Sequence, residues 1–138
     1  MRRLEEYLRV AVAVPAGWKV VIRGTPNTAA KLSSSAERMA GQYTYRSLPC
    51  FGVTVHVVAP ADLDRVLRSQ EYRTRHSYGA LTVDVVRQLG LHLLPTFSNT
   101  DHYTLVFDPY NEEQVTRLAD MLQANTAPNP HWVGRSSR

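Results

Sequence analysis

Apolar and polar positions follow two rhythms along this chain, and the switches between them mark out its elements. Leu4, Tyr7, Leu8 and Ala11 recur at helical spacing, which predicts a first amphipathic helix from about Arg3 to Val12, ended by Pro15-Ala16-Gly17. Trp18 to Arg23 then reads as a strand, and the unbroken run Val20, Val21, Ile22 implies burial on both faces. Gly24-Thr25-Pro26-Asn27-Thr28 turns the chain, and Asn27 or Thr28 caps a helix through Ala29, Ala30 and Leu32 that Ser33-Ser34-Ser35 weakens.

The same alternation continues downstream. Tyr43 and Tyr45 suggest a strand over Gln42 to Arg46, and Pro49 separates it from a stronger strand, Phe51 to Val58. Pro60-Ala61-Asp62 starts a helix carrying Leu63, Val66 and Leu67. Arg73 to Gly79 reads as a polar loop before a helix from about Ala80 to Leu89, stopped by Gly90. Leu91 to Phe97 and His102 to Phe107 are apolar runs joined by Ser98-Asn99-Thr100-Asp101, the composition of a short turn, so an antiparallel hairpin is expected. Asn111-Glu112-Glu113 opens a last helix with Val115, Leu118, Ala119 and Leu122 as its buried face. Pro128 to Trp132 is extended, and Gly134 to Arg138 reads as disordered.

A strand, a proline turn and a helix thus recur at Val20 to Ala36, Val53 to Arg68 and Tyr103 to Leu122. Only the pattern repeats, so the fold class is α+β: a mixed or antiparallel sheet flanked by helices in one domain of residues 1–132, with a tail over 133–138. Composition is compatible with this. A chain of 138 residues, 43% apolar and 20% charged, can bury a single core. Cys50 is the one cysteine, so no internal disulfide forms, and a reducing, cytoplasmic setting fits. The apolar run Val10 to Val14 stops at Pro15, far short of a bilayer span, so no membrane partner is expected. Neither zinc-type spacing nor an acidic metal cluster appears, and no metal is expected.

The net charge of +4 permits an acidic partner, nucleic acid included, without demanding one. Arg65, Arg68, Tyr72 and Arg75 would share a helix face, either as a solvated stripe or as phosphate contacts. The densest chemistry is Asp101-His102-Tyr103-Thr104 at the head of an apolar strand. Strand alternation puts His102 and Thr104 on one face, where they can act on one ligand as candidate catalytic residues, and Tyr103 on the other. Arg23 ends a strand beside Gly24 and Thr25, a place suited to an anion because a cation sits next to accessible backbone. His56, between Val55 and Val57, reads as a hydrogen-bonded core histidine, and His76 lies in the polar loop. Nucleophile elbow, phosphate-binding loop and dinucleotide fingerprint are all missing from the sequence.

The C-terminal half resembles a family of small bacterial toxins with an ADP-ribosyltransferase-like fold, including effectors delivered by type VI secretion. The resemblance lies in the order Gly52-Val53-Thr54, Gly90-Leu91-His92-Leu93, His102-Tyr103-Thr104-Leu105, Pro109 and a terminal helix, and covers roughly half the chain. It implies NAD or a related nucleotide as ligand, with Arg23 as the cation for the pyrophosphate, Gly24 and Thr25 beside it as further cofactor-binding residues, His102 and Thr104 as donors to the ribose, and Tyr45 or Tyr103 against the nicotinamide. An antitoxin or immunity partner and action in a bacterial or target-cell cytoplasm are implied as well. The chain departs from the family's acidic catalytic element, because Glu112-Glu113 falls where a helix begins. Two other readings stay open. One is a phosphoesterase with a His-x-Thr motif on paired strands, and the other is a structural or partner-binding protein such as a bacteriophage tail-assembly component.

Overall fold

The computed structural model describes residues 1–10, 13–23, 26–97 and 100–133, and of Arg23 the backbone alone. Its strands are β1 (Arg2–Arg3), β2 (Lys19–Arg23), β3 (Tyr43–Tyr45), β4 (Leu48–Pro49), β5 (Gly52–Val58), β6 (Ser77–Thr82), β7 (His92–Pro95), β8 (His102–Val106) and β9 (Thr126–Pro128). The helices are α1 (Ala29–Ala40), α2 (Leu63–Arg68), α3 (Gln70–Arg73), α4 (Val83–Gln88) and α5 (Glu112–Ala124). The protein is α+β. A six-stranded sheet runs β7-β8-β5-β2-β6-β9 with every neighbouring pair antiparallel, and a small mixed sheet runs β1-β3-β4.

The strands with unbroken apolar runs, β2 and β5, take the middle of the large sheet, where both faces are covered. On one face Val20, Ile22, Val53, Val55, Val57, Tyr103 and Leu105 pack against Leu32 and Ala36 of α1, Val86 of α4 and Leu118 and Leu122 of α5. On the other face Val21 and Val58 meet Val66, Leu67 and Tyr72 of α2 and α3. Farther along that second face, Leu94 and Val106 pack against Leu4, Met39 and Cys50 beneath the small sheet. The predicted hairpin is β7 and β8, in the register Leu93↔Leu105. The predicted Asn111 cap is also present, its Oδ1 accepting from Gln114 N at 3.1 Å.

Four local expectations need correction. Within the helix expected over Arg3 to Val12, the described residues form only a short 3-10 turn, Leu4–Tyr7, after which Leu8 is extended, and Ala11 and Val12 lie outside the described residues. Its apolar residues serve separate tertiary contacts: Leu4 is fully buried, the Tyr7 ring packs on Phe97 at 5.6 Å, and Leu8 bridges Thr96. The helix expected from Ala80 begins instead at Val83, because Ser77–Thr82 pairs with β2 and β9; Thr82 then caps it by accepting from Val85 N. The serine run does not weaken α1, which extends over 12 residues with Leu32, Ala36 and Met39 buried and Thr28 as its cap. Of the stretch expected to be extended, Pro128 to Trp132, only Pro128 belongs to a strand, the edge strand β9; the chain then turns at Pro130 and His131 and docks on α2 and α3 through Asn129, whose Nδ2 donates to Leu67 O and Tyr72 O at 3.0 Å. The tail expected from Gly134 lies outside the described residues. Among the described residues no helix is long and apolar enough to cross a membrane.

Candidate functional site

β2 and β5 pair from Lys19↔Val58 to Val21↔His56, and no pairing between them continues beyond that row. At this fork lies a cleft of about 460 Å³, closed on one side by α1. Its floor is apolar, from Ile22, Leu32, Val53 and Met39, and its rim carries Lys31, Arg38 and Arg75 with the hydroxyls of Ser34, Ser35 and Thr54. None of its described lining residues is an Asp or Glu. Asn27 forms part of the wall, is 3% exposed, and has no hydrogen-bond partner for its side-chain Nδ2. A buried donor left in this way costs about 1–3 kcal/mol, a cost that an arriving acceptor removes. The sequence explains its position: Thr28, not Asn27, caps α1, so the Asn27 amide is spared for the interior, where it packs against Gly79.

Arg23, Gly24 and Thr25 belong to the connection between two wall residues of this cleft, Ile22 and Asn27. Gly24 and Thr25 lie outside the described residues, and Arg23 pairs its backbone with Tyr78 of β6.

A second polar cluster occupies the α2–α3 face of the sheet. His56 and His102 are direct partners across β5 and β8, with ring centroids 5.7 Å apart. Tyr72 O–H donates to Val21 O at 3.1 Å, and Tyr72 Oη lies 2.9 Å from His56 Nδ1. The phenol has one proton and the carbonyl can only accept, so His56 Nδ1 carries a hydrogen and donates it to the phenol oxygen. His56 Nε2 is 3.9 Å from Glu71 Oε2. The His102 ring also meets Phe97 edge-on at 4.9 Å, and its backbone carbonyl accepts from the Arg9 guanidinium. Burial above all, and then the neighbouring His56, hold the His102 imidazole below its ordinary pKa, with Glu71 opposing.

The remaining candidates are dispersed. Thr104 shares the His102 face as alternation required, yet it is fully buried, and its hydroxyl is bonded to that of Thr96 at 2.9 Å. Thr104 is thereby tied into the interior of the sheet. Tyr45 and Tyr103 line a different cavity, about 580 Å³, along the outer edge of β7 together with Arg46, Arg87 and His92. It has no described lining residue in common with the cleft. Arg46 lies over the Tyr45 ring and Arg9 over the Tyr103 ring, each at 5.1 Å. The arginine stripe does not form as drawn, because Tyr72 is buried on α3 while Arg65 pairs with Asp101 at 2.8 Å and Arg68 with Asp64 at 3.2 Å. Of that set only Arg75 reaches the cleft. Glu112 lines a separate, smaller cavity beside α5. Among the described residues no three His, Cys, Asp or Glu side chains group closely enough to hold a metal.

Sequence reasoning missed Asn27, Lys31 and Arg38 as site residues because each reads as an ordinary cap or helix-surface side chain. The signal that could have found Asn27 is the redundancy of two adjacent capping residues before one helix. No family model matches the chain, and no curated protein or solved structure matches it either.

Proposed function

We propose that this chain is a toxin-like domain of the ADP-ribosyltransferase kind that binds NAD or a related nucleotide in the cleft between α1 and the fork of β2 and β5. The observation that carries the reading is the buried, unpartnered Asn27 amide set in a cleft with a cationic rim. An apolar floor suits a heterocycle, and Lys31, Arg38 and Arg75 suit phosphate oxygens. NAD itself would supply the transferable ADP-ribosyl group; the chain's own residues would bind and orient it. Tyr45 and Tyr103 have no part in this site. No carboxylate joins the described lining, so the reading rests on binding.

The test is isothermal titration of the protein with NAD and with ADP-ribose. Binding that weakens roughly tenfold or more in Arg38→Ala or Arg75→Ala, as loss of a charged hydrogen bond entails, supports the reading. Absence of heat with folded protein rejects it. Growth arrest of a bacterial host on induced expression, relieved by Asn27→Ala, would extend the reading to toxicity.

The second cavity favours a different function. Its cationic residues lie along the edge of β7, a surface suited to an acidic segment of an immunity or structural partner. A larger assembly by light scattering, with no nucleotide binding, would favour that reading.

A further inference from the structure

We propose that the cleft selects a nucleotide with two phosphate groups on opposite sides of one ribose, as in NADP, over NAD itself. The inference rests on the cleft reading and names its ligand class. Its first support is a stripe on α1. Lys31, Ser34, Ser35 and Arg38 all line the cleft, at the spacing that keeps side chains on one helix face. Lys31 and Ser34 lie three residues apart, as do Ser35 and Arg38, so the stripe is two cation–hydroxyl pairs in tandem. Two helical turns separate the two cations, roughly 10 Å along the axis. From outside α1, Arg75 and Thr54 add a further cation and a further hydroxyl to the lining.

The second support is that these cations are uncommitted. Arg65, Arg68 and Arg117 each hold a carboxylate, at 2.8, 3.2 and 2.7 Å. Among the described residues, by contrast, no hydrogen bond or ion pair engages the side chain of Lys31, Arg38 or Arg75. A carboxylate in the lining would accept from a free ribose 2′-hydroxyl and repel a phosphate placed there. No described lining residue supplies one.

Charge then separates two nucleotides of nearly the same shape. The pyrophosphate of NAD is one compact anion, its phosphorus atoms joined through a single oxygen, and one cation–hydroxyl pair together with Arg75 can meet it. The other pair is left without an anion. NADP adds about 1.5–2 negative charges at the ribose 2′ oxygen, on the far side of the sugar from the pyrophosphate, and gives that second pair its partner. Asn27 serves both nucleotides alike, since its buried amide needs only an acceptor.

The experiment is isothermal titration of the full chain with NAD and with NADP at one ionic strength, followed by displacement of NADP with adenosine 2′,5′-bisphosphate and with adenosine 5′-monophosphate. NADP should bind about tenfold more tightly than NAD or better, as gaining one charged hydrogen bond entails, and the bisphosphate should displace it about tenfold more effectively than the monophosphate. Lys31→Ala and Arg38→Ala truncate exposed side chains, and circular dichroism should show both variants folded. One of them should weaken NAD and NADP alike, by about tenfold, and the other NADP alone, closing the gap to within about twofold. Arg117→Ala, which removes a cation outside the cleft, should leave both affinities in place. Equal binding of NAD and NADP, or a gap that both cleft variants leave unchanged, overturns the selection while the cleft reading stands. Failure of both nucleotides to bind removes the two together.

Discussion

Tyr72→Phe deletes one oxygen from the centre of the second face and leaves the ring that packs there. The hydroxyl links two buried groups, accepting from His56 Nδ1 at 2.9 Å and donating to Val21 O at 3.1 Å. Tyr72 is 1% exposed and Val21 fully buried, so water has little access to either group in the variant. Taking a partner from one buried polar group costs about 1–3 kcal/mol; with two groups affected, and a carbonyl that tolerates the loss better than a donor, we expect about 2–4 kcal/mol. For a chain of this size that is a fall of roughly 6–15 °C in Tm. Thermal unfolding followed by far-UV circular dichroism at pH 7.5 measures it directly. The ring contact with His56, at a centroid distance of 5.2 Å, remains in phenylalanine, so the loss reports the hydroxyl and not the packing. A fall of less than about 2 °C would refute this hydrogen-bond relay and, with it, the hydrogen placed on His56 Nδ1.

Three further outcomes follow from the same geometry. His102 is held below its ordinary value of 6.5, chiefly by burial and then by His56, while Glu71 raises it and Arg9 lowers it. The unfolded chain therefore takes up this proton at a pH where the folded chain does not, and stability falls as pH drops through about 6.5 until the folded ring also titrates. The melting temperature should drop between pH 7.5 and 5.5, and His102→Gln should flatten that slope; an unaltered slope would exclude His102 as its source. Burial pushes the Cys50 thiol up to about 11, so Ellman's reagent at pH 8 should react with the native protein only as fast as it opens, and full labelling within seconds would contradict the buried placement. A Cβ on Gly52 would sit 2.5 Å from Leu105 O of β8, so Gly52→Ala should cost about 1–3 kcal/mol in urea unfolding, and a neutral effect would mean that β5 and β8 do not approach so closely.

The large sheet was legible because its signals are local and redundant. β2 and β5 announce themselves by runs of β-branched residues, β7 and β8 by a turn between two apolar stretches, and α5 by its Asn111 cap. What misled was periodicity without context: Leu4, Tyr7 and Leu8 have helical spacing, but each is drawn to a different tertiary contact. β6 and β9 were missed because neither has the apolar density of a central strand; β6 alternates buried and half-buried positions around Gly79, and β9 is a short edge strand ending in Pro128. The sites were less legible than the strands, since they depend on register. Alternation placed His102 and Thr104 on one face, but it could not say that Thr104 would be fully covered or that His56 would lie directly opposite His102. Nor could spacing along the chain reveal that β2 and β5 part after Val21, which is what opens the cleft beside Asn27.

Occupation of that cleft by a nucleotide can be read residue by residue from a ¹⁵N–¹H correlation map of the protein recorded during titration with NAD. Saturable shifts are expected for the Asn27 side-chain amide and the backbone amides of Gly52, Thr54 and Arg75, with Leu93 and Leu94 on the β7 edge unmoved. Shifts confined to the β7 edge, or an Asn27 amide that stays in place at saturating NAD, would contradict that occupation.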